Sequence, residues 1–149
     1  MTIYPDSSFL ISFLYPGDSN HAKARAYFRA HASDEWTTSI WSEYETLNGL
    51  RSLCLVSQGP SPATVEAIRR LFMRWHRDGP FGLERVEWDE IMRDAGQISA
   101  ALAARMKARA ADILHIAILE QIIPDEFVTF DHDQAALASQ RGFNAVHLS

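Results

Sequence analysis

The sequence predicts a single α/β domain, a three-layer sandwich with a mostly parallel sheet of four to five strands between two layers of helices. Three observations carry that expectation. Short β-rich runs alternate with longer stretches of helical periodicity. The chain has 149 residues, a length that suits one core, and 47% of them are hydrophobic, enough to fold without staples. The run from Ile113 to Leu119 is apolar almost all round, the pattern of a helix buried in a layered fold.

The elements follow in order. Thr2 to Pro5 reads as a strand, and Asp6-Ser7-Ser8 caps a helix running from Ser7 to Tyr15. Pro16-Gly17-Asp18 breaks it. Asn20 to Ala32 is a second helix, with Ala24, Tyr27 and Phe28 on one face, and Trp36 to Thr38 a brief strand. Ile40 to about Val56 is helical, with Trp41, Tyr44 and Leu47 at helical spacing. Ser57 to Pro62 is a loop in which Ser61 caps the next helix and Pro62 takes its first position. Val65, Ile68, Phe72 and Trp75 form that helix's inner face, and Asp78-Gly79-Pro80 ends it. Phe81 to Glu87 is a third strand, followed by a long amphipathic helix marked by Trp88, Ile91, Met92, Ala95, Ile98, Ser99 and Leu102. Asp112 to Gln121 is the buried helix and Glu126 to Phe130 the fourth strand. Asp131 to Gln140 is a helix stopped by Gly142, and Ala145 to Leu148 is a last strand. There is no internal repeat, low-complexity tract or linker, so residues 1–149 read as one domain.

Composition narrows the function classes. The lone Cys54, in Leu53-Cys54-Leu55-Val56, excludes an internal disulfide, reads as an inert buried thiol and fits a reducing cytosol. No stretch reaches the roughly 18 apolar residues of a membrane span, and no basic region precedes an apolar start. The expectation is a soluble, cytoplasmic protein. A net charge of −5 argues against a protein that coats nucleic acid, though not against one that grips it locally. The run Arg105-Met106-Lys107-Ala108-Arg109 offers either phosphate contacts or a solvated helix end.

Four acids stand out by position. Asp6 follows the first strand, Glu45 lies in the apolar stretch Trp41 to Leu47, Asp112 opens the buried helix, and Asp131 ends the fourth strand. A lone buried carboxylate costs several kcal/mol unless it is compensated. Several converging at strand ends point to a hard cation, Mg²⁺ or Mn²⁺, which would acidify a bound water and neutralise charge on a phosphoryl oxygen. In parallel sheets ligands collect beyond the carboxyl ends of the strands, where Asp6 and Asp131 fall. Each acid also has a plainer role. Asp6, Asp112 and Asp131 could be helix caps worth about 1 kcal/mol each, and Glu45 an exposed polar position. Glu43 competes with Glu45 as the inward acid; Glu45 shares a side of its helix with Trp41 and Asn48. No Walker loop, Gly-x-Gly-x-x-Gly run or Gly-x-Ser-x-Gly elbow occurs.

Four motifs in order carry a resemblance. They are Ile3-Tyr4-Pro5-Asp6-Ser7-Ser8-Phe9-Leu10-Ile11, Thr38-Ser39 through Glu45 to Arg51, Ala111-Asp112-Ile113-Leu114-His115-Ile116-Ala117, and Val128-Thr129-Phe130-Asp131-His132-Asp133. The chain resembles PIN-domain ribonucleases, in particular the VapC-like toxins of bacterial toxin–antitoxin pairs, over nearly its whole length. The register of the second motif, with its acid six residues after the serine, selects Glu45 over Glu43. The resemblance implies an endoribonuclease that hydrolyses RNA phosphodiesters with a metal-activated water. Asp6, Glu45, Asp112 and Asp131 would be the acidic metal-holding set, with Mg²⁺ or Mn²⁺ as cofactor. Ser8 and Thr129 would orient carboxylates or water, and Asp133 could assist through a water. His115 and His132 read as structural or solvent-facing. The resemblance further implies a homodimer and a cognate antitoxin; Leu53, Leu55, Leu71, Phe72, Met73 and Trp75 could serve a partner or pack internally. Pro5 departs from the family's apolar strand residue and puts the local hydrogen bonding in question.

Two other readings compete. A haloacid-dehalogenase-type phosphohydrolase would use Asp6 as nucleophile and want a second acid two residues on, where Ser8 stands. A non-catalytic binding module would keep the fold but not need all four acids.

Overall fold

A computed structural model describes residues 1–102 and 108–149. The basic run predicted at 105–109 lies largely outside the described residues; only Ala108 and Arg109 fall within them. The elements are β1 (Thr2–Pro5), α1 (Ser7–Leu14), α2 (His21–Ala30), β2 (Glu35–Ser39), α3 (Ile40–Leu53), α4 (Pro62–Asp78), β3 (Phe81–Glu84), α5 (Trp88–Leu102), α6 (Ala110–Ile122), β4 (Glu126–Thr129), α7 (His132–Gln140) and β5 (Ala145–His147). The five strands form one sheet in the order β3-β2-β1-β4-β5, and every pairing is parallel. The three-layer α/β/α expectation therefore holds.

Alternation along the central strands divides the core into two. Ile3 and Val128 face one side, against Phe9, Leu10 and Phe13 of α1, Leu50 of α3, and Val65, Ile68 and Phe72 of α4. Tyr4 and Phe127 face the other, against Ile91 and Ile98 of α5, Ile116 and Leu119 of α6, and Leu137 of α7. The first side is closed by aromatic contacts: Phe9 on Trp36 (5.4 Å), Phe13 on Phe28 (4.8 Å) and Trp75 on Phe81 (5.0 Å). Covering on both faces explains why β1 and β4 are buried along almost their whole length.

Several boundaries move for visible reasons. β3 stops at Glu84, not Glu87, because Glu84 pairs with Ser39, the last residue of β2, and no partner lies beyond. α3 ends at Leu53; a turn follows in which Leu55 is 90% exposed, and Cys54 is half-buried, its thiol donating to Leu50 O at 3.4 Å. The fully buried thiol expected from its apolar neighbours is thus corrected. α6 begins at Ala110, so Asp112 is its third residue rather than its cap. Of the apolar residues on the α3–α4 hairpin, Phe72 packs inside, whereas Leu55 and Met73 are exposed. Pro5 sits at the end of β1 opposite Val128, and the ladder resumes at once with Asp6 N–H donating to Val128 O at 3.1 Å. Its missing donor leaves the β1–β4 pairing intact. No helix among the described residues is long and apolar enough to cross a membrane.

α6 ends on Ile123, whose backbone is left-handed (φ 49°, ψ 58°) and whose side chain is 74% exposed. That conformation costs an L-residue roughly 1–2 kcal/mol, and glycine is the usual helix stop. Ile123→Gly loses little packing and is expected to stabilise the protein by about 1 kcal/mol, raising Tm by about 2–4 °C. An unchanged or lower Tm in a calorimetric scan refutes this.

Candidate functional site

β1 and β4 are neighbours, with β2 and β3 on one side and β5 on the other. The chain reverses its direction of sheet growth between them, so a crevice opens beyond their carboxyl ends. Asp6 and Asp131 follow those ends.

Asp6 is the most constrained of the predicted acids, 3% exposed at the N-terminus of α1. Phe9 N–H donates to Oδ1 at 2.9 Å, Thr129 Oγ1 donates to Oδ2 at 2.6 Å, and the single Ser8 hydroxyl proton is shared between both oxygens at 2.7 and 2.9 Å. The hydroxyls are themselves oriented. Phe130 N–H donates to Ser8 Oγ at 2.9 Å, and Asp131 N–H donates to Thr129 Oγ1 at 2.8 Å. Ser8 and Thr129 thus hold Asp6 across the β1–β4 junction. These three donors make two contacts on each oxygen of the carboxylate. Burial pushes the Asp6 carboxyl above its usual range; the nearby His115 and the hydrogen bonds from Thr129, Phe9 and Ser8 only partly offset it.

Asp131 caps α7, its Oδ1 accepting from the N–H groups of Asp133 and Gln134 at 2.9 and 3.0 Å. Asp133 contributes that N–H, while its carboxylate is turned to solvent beside the exposed His132. Asp112 reaches back to the N–H of Arg109 at 3.0 Å. The Arg109 guanidinium then binds Asp112 through Nε (3.0 Å) and Nη2 (3.1 Å), and Asp131 through Nη2 at 3.2 Å. Arg109 therefore bridges the third and fourth motifs.

Glu45 lies on α3, and its Oε2 accepts from His115 Nε2 at 2.6 Å. Burial raises the Glu45 carboxyl, but the hydrogen bond and charge of His115, with more distant Arg109, bring it below the usual range. Glu43 is turned elsewhere, accepting from Thr38 Oγ1 at 3.0 Å and pairing with His76 of α4. Tyr4, buried beneath, shares a hydrogen bond with Ser39 Oγ at 2.7 Å and feels the charge of both Asp6 and Glu45. Those two acids consequently occupy one neighbourhood.

Two linked groups result: Arg109 joins Asp112 and Asp131, and His115 pairs with Glu45 while its charge also reaches Asp6. The site's donors are hard carboxylate oxygens, and the residue chemistry fits a hard divalent cation. The spacing is looser than a closed ion cage, since no three His, Cys, Asp or Glu side chains among the described residues stand grouped for one ion. Arg109 and His115 were missed as site residues for the same reason: their partners are apparent only in space.

The PIN domain family model matches residues 3–140, which include every predicted site residue. The chain belongs to the PIN-domain family. Solved PIN-like structures support the same fold. VapC20 of Mycobacterium tuberculosis, described as a Sarcin-Ricin loop cleaving toxin, superposes with a TM-score of 0.67 at 22% identity, covering 98% of this chain and 99% of its own. FitAcB from Neisseria gonorrhoeae gives a TM-score of 0.64 at 14% identity, covering 97% and 96%. FitAB bound to the IR36 DNA fragment gives 0.66 at 16% identity, covering 99% and 97%. No curated protein matches the chain by sequence. At such identities the likeness establishes the PIN fold, and this PIN domain's chemistry has to be argued from its own side chains.

Proposed function

We propose that the chain is a divalent-metal-dependent endoribonuclease and the toxin of a toxin–antitoxin pair. One observation carries the reading: Asp6 is buried beyond the ends of β1 and β4, Arg109 bridges Asp112 and Asp131, and Glu45 pairs with His115, whose charge also reaches Asp6. Asp6, Glu45, Asp112 and Asp131 would hold Mg²⁺ or Mn²⁺. A cation bound there supplies an acidified water and neutralises charge on the phosphoryl oxygen. The chain's own contribution is orientation: Ser8 and Thr129 fix both oxygens of Asp6, and the N–H groups of α7 fix Asp131. Asp133 stays at the rim. PIN membership and the likeness to a Sarcin-Ricin loop cleaving toxin support RNA as substrate. An acidic mouth suits inhibition by a protein partner offering a cationic segment, and we place the protein in the cytoplasm as a homodimer.

The test is direct. Incubated with single-stranded and structured RNA, the protein is expected to make internal cuts with Mg²⁺ or Mn²⁺ and none with a chelator. Release of phosphate from a small monoester, with RNA untouched, would support the phosphohydrolase alternative instead. One observation favours a non-catalytic binding module: Arg109 already neutralises the Asp112–Asp131 pair. Intact RNA at every metal concentration would decide for that reading.

Arg109 also makes a quantitative prediction. Its side chain is 71% exposed, so its ion pairs are worth about 0.2–1 kcal/mol each. A divalent ion must displace it from the same oxygens. Arg109→Ala is expected to bind Mn²⁺ about twofold to fivefold more tightly by calorimetry, and weaker binding would overturn the competition.

A further inference from the structure

We infer that His115 is a positioning residue for the nuclease site, holding Glu45 so that one of its oxygens faces the crevice; the inference rests on the metal-dependent reading above. His115 lies on α6, three residues after Asp112, so both project from one side of that helix. Its ring is buried at 2% exposure between the edges of Tyr4 (6.3 Å) and Trp41 (6.3 Å). Nε2 donates to Glu45 Oε2 at 2.6 Å, while the buried Nδ1 has no partner. Among the described residues the ring's one hydrogen bond therefore goes to the acid. The other polar neighbour of Glu45 is the Ser7 hydroxyl, and the side chain is 27% exposed. Its close contact to His115 is through Oε2.

A packing role alone explains this poorly. Ile113, Ile116, Ala117, Ile118 and Leu119 fill the rest of the buried face of α6. A leucine at 115 would fill the space without stranding a buried ring nitrogen, and unpaired buried polar atoms are destabilising. The histidine is the costlier residue for the fold, and the contact it gains is with a site acid. Aromatic walls fix the ring, and the ring fixes a flexible glutamate that would otherwise sample many rotamers.

The experiment compares wild type, His115→Leu and His115→Gln, the last placing an amide donor near the position of Nε2. The readouts are Tm without metal, the Mn²⁺ concentration giving half-maximal stabilisation, and the rate of RNA cleavage. His115→Leu is expected to melt at or above the wild-type temperature without metal, yet to need about tenfold more Mn²⁺ and to cleave about 10- to 100-fold more slowly. His115→Gln is expected to recover most of both losses. A Leu variant with wild-type Mn²⁺ response and rate overturns the inference, as does a Gln variant no better than Leu. A Leu variant that loses activity only by unfolding, seen as a large fall in metal-free Tm, assigns His115 to packing and also overturns it. Wild-type protein that neither responds to Mn²⁺ nor cuts RNA defeats the nuclease reading itself, a result distinct from all of these.

Discussion

Asp6→Asn protein is expected to cleave RNA roughly a thousandfold or more slowly than wild type, and to melt about 2–4 °C higher in the absence of metal. The two effects have opposite signs for one cause. Asp6 is 3% exposed, and burial holds its carboxyl above the usual range. A carboxyl whose folded pKa exceeds its unfolded one carries its charge at the fold's expense. Folding is favoured below the unfolded pKa, and that advantage is lost as pH rises through the folded value. Asparagine removes the charge, yet its carbonyl can still cap α1 by accepting from Phe9 N–H, and asparagine is as good a cap as aspartate. Its amide can donate to the Ser8 and Thr129 oxygens once the hydroxyl protons rotate. What disappears is the negative charge that would hold the cation and, through it, several kcal/mol of transition-state stabilisation. Asp6→Ala separates cap from charge: it should be equally inactive but should lose the cap, melting below Asp6→Asn. Wild-type cleavage by Asp6→Asn would remove the basis of the proposed mechanism.

Mn²⁺ should raise the melting temperature of the wild-type protein by about 5–10 °C at a hundred times its dissociation constant. The arithmetic is linkage: a ligand bound only by the native state adds about 2.7 kcal/mol at that concentration, and each kcal/mol moves a domain of this size by about 2–4 °C. The physical source is the same crowding of charge. Arg109 serves both Asp112 and Asp131 and His115 serves Glu45, and a divalent ion relieves more repulsion than a monovalent one. A chelator should return Tm to its starting value and stop cleavage together. Asp6→Asn and Asp112→Asn should show little or no shift. A wild-type protein indifferent to millimolar Mn²⁺ would leave the acidic crevice without its proposed occupant.

The sheet and its helices were legible because each depended on local pattern. β1 and β4 are short apolar runs closed by an acid that caps the following helix, and both appear in the sequence as such. The same grammar located Asp6 and Asp131, since a cap is read from its neighbours. Properties set by distant partners were not legible. The length of β3 depends on where β2 stops. Arg109 looked like the end of a solvated basic run, because Asp131 is 22 residues away in sequence. His115 looked like one polar residue in an apolar helix, because Glu45 is 70 residues away. Local spacing separated Glu43 from Glu45 only weakly. Two residues advance about 200° around a helix, so only one of them can face α6, and contacts with Thr38 and His76 claim the other.

The hydroxyl of Thr129 reaches Asp6 across 123 positions of sequence. β1 occupies the centre of the sheet, but its neighbour β4 is translated well after it. During synthesis, Asp6 therefore waits for its clamp until the chain has been made through Thr129. A nascent or prematurely terminated product lacking residues beyond 125 would have neither β4 nor Asp131 and hence no assembled centre. Assembly of this centre therefore trails the making of Asp6 by the 123 positions that separate it from Thr129.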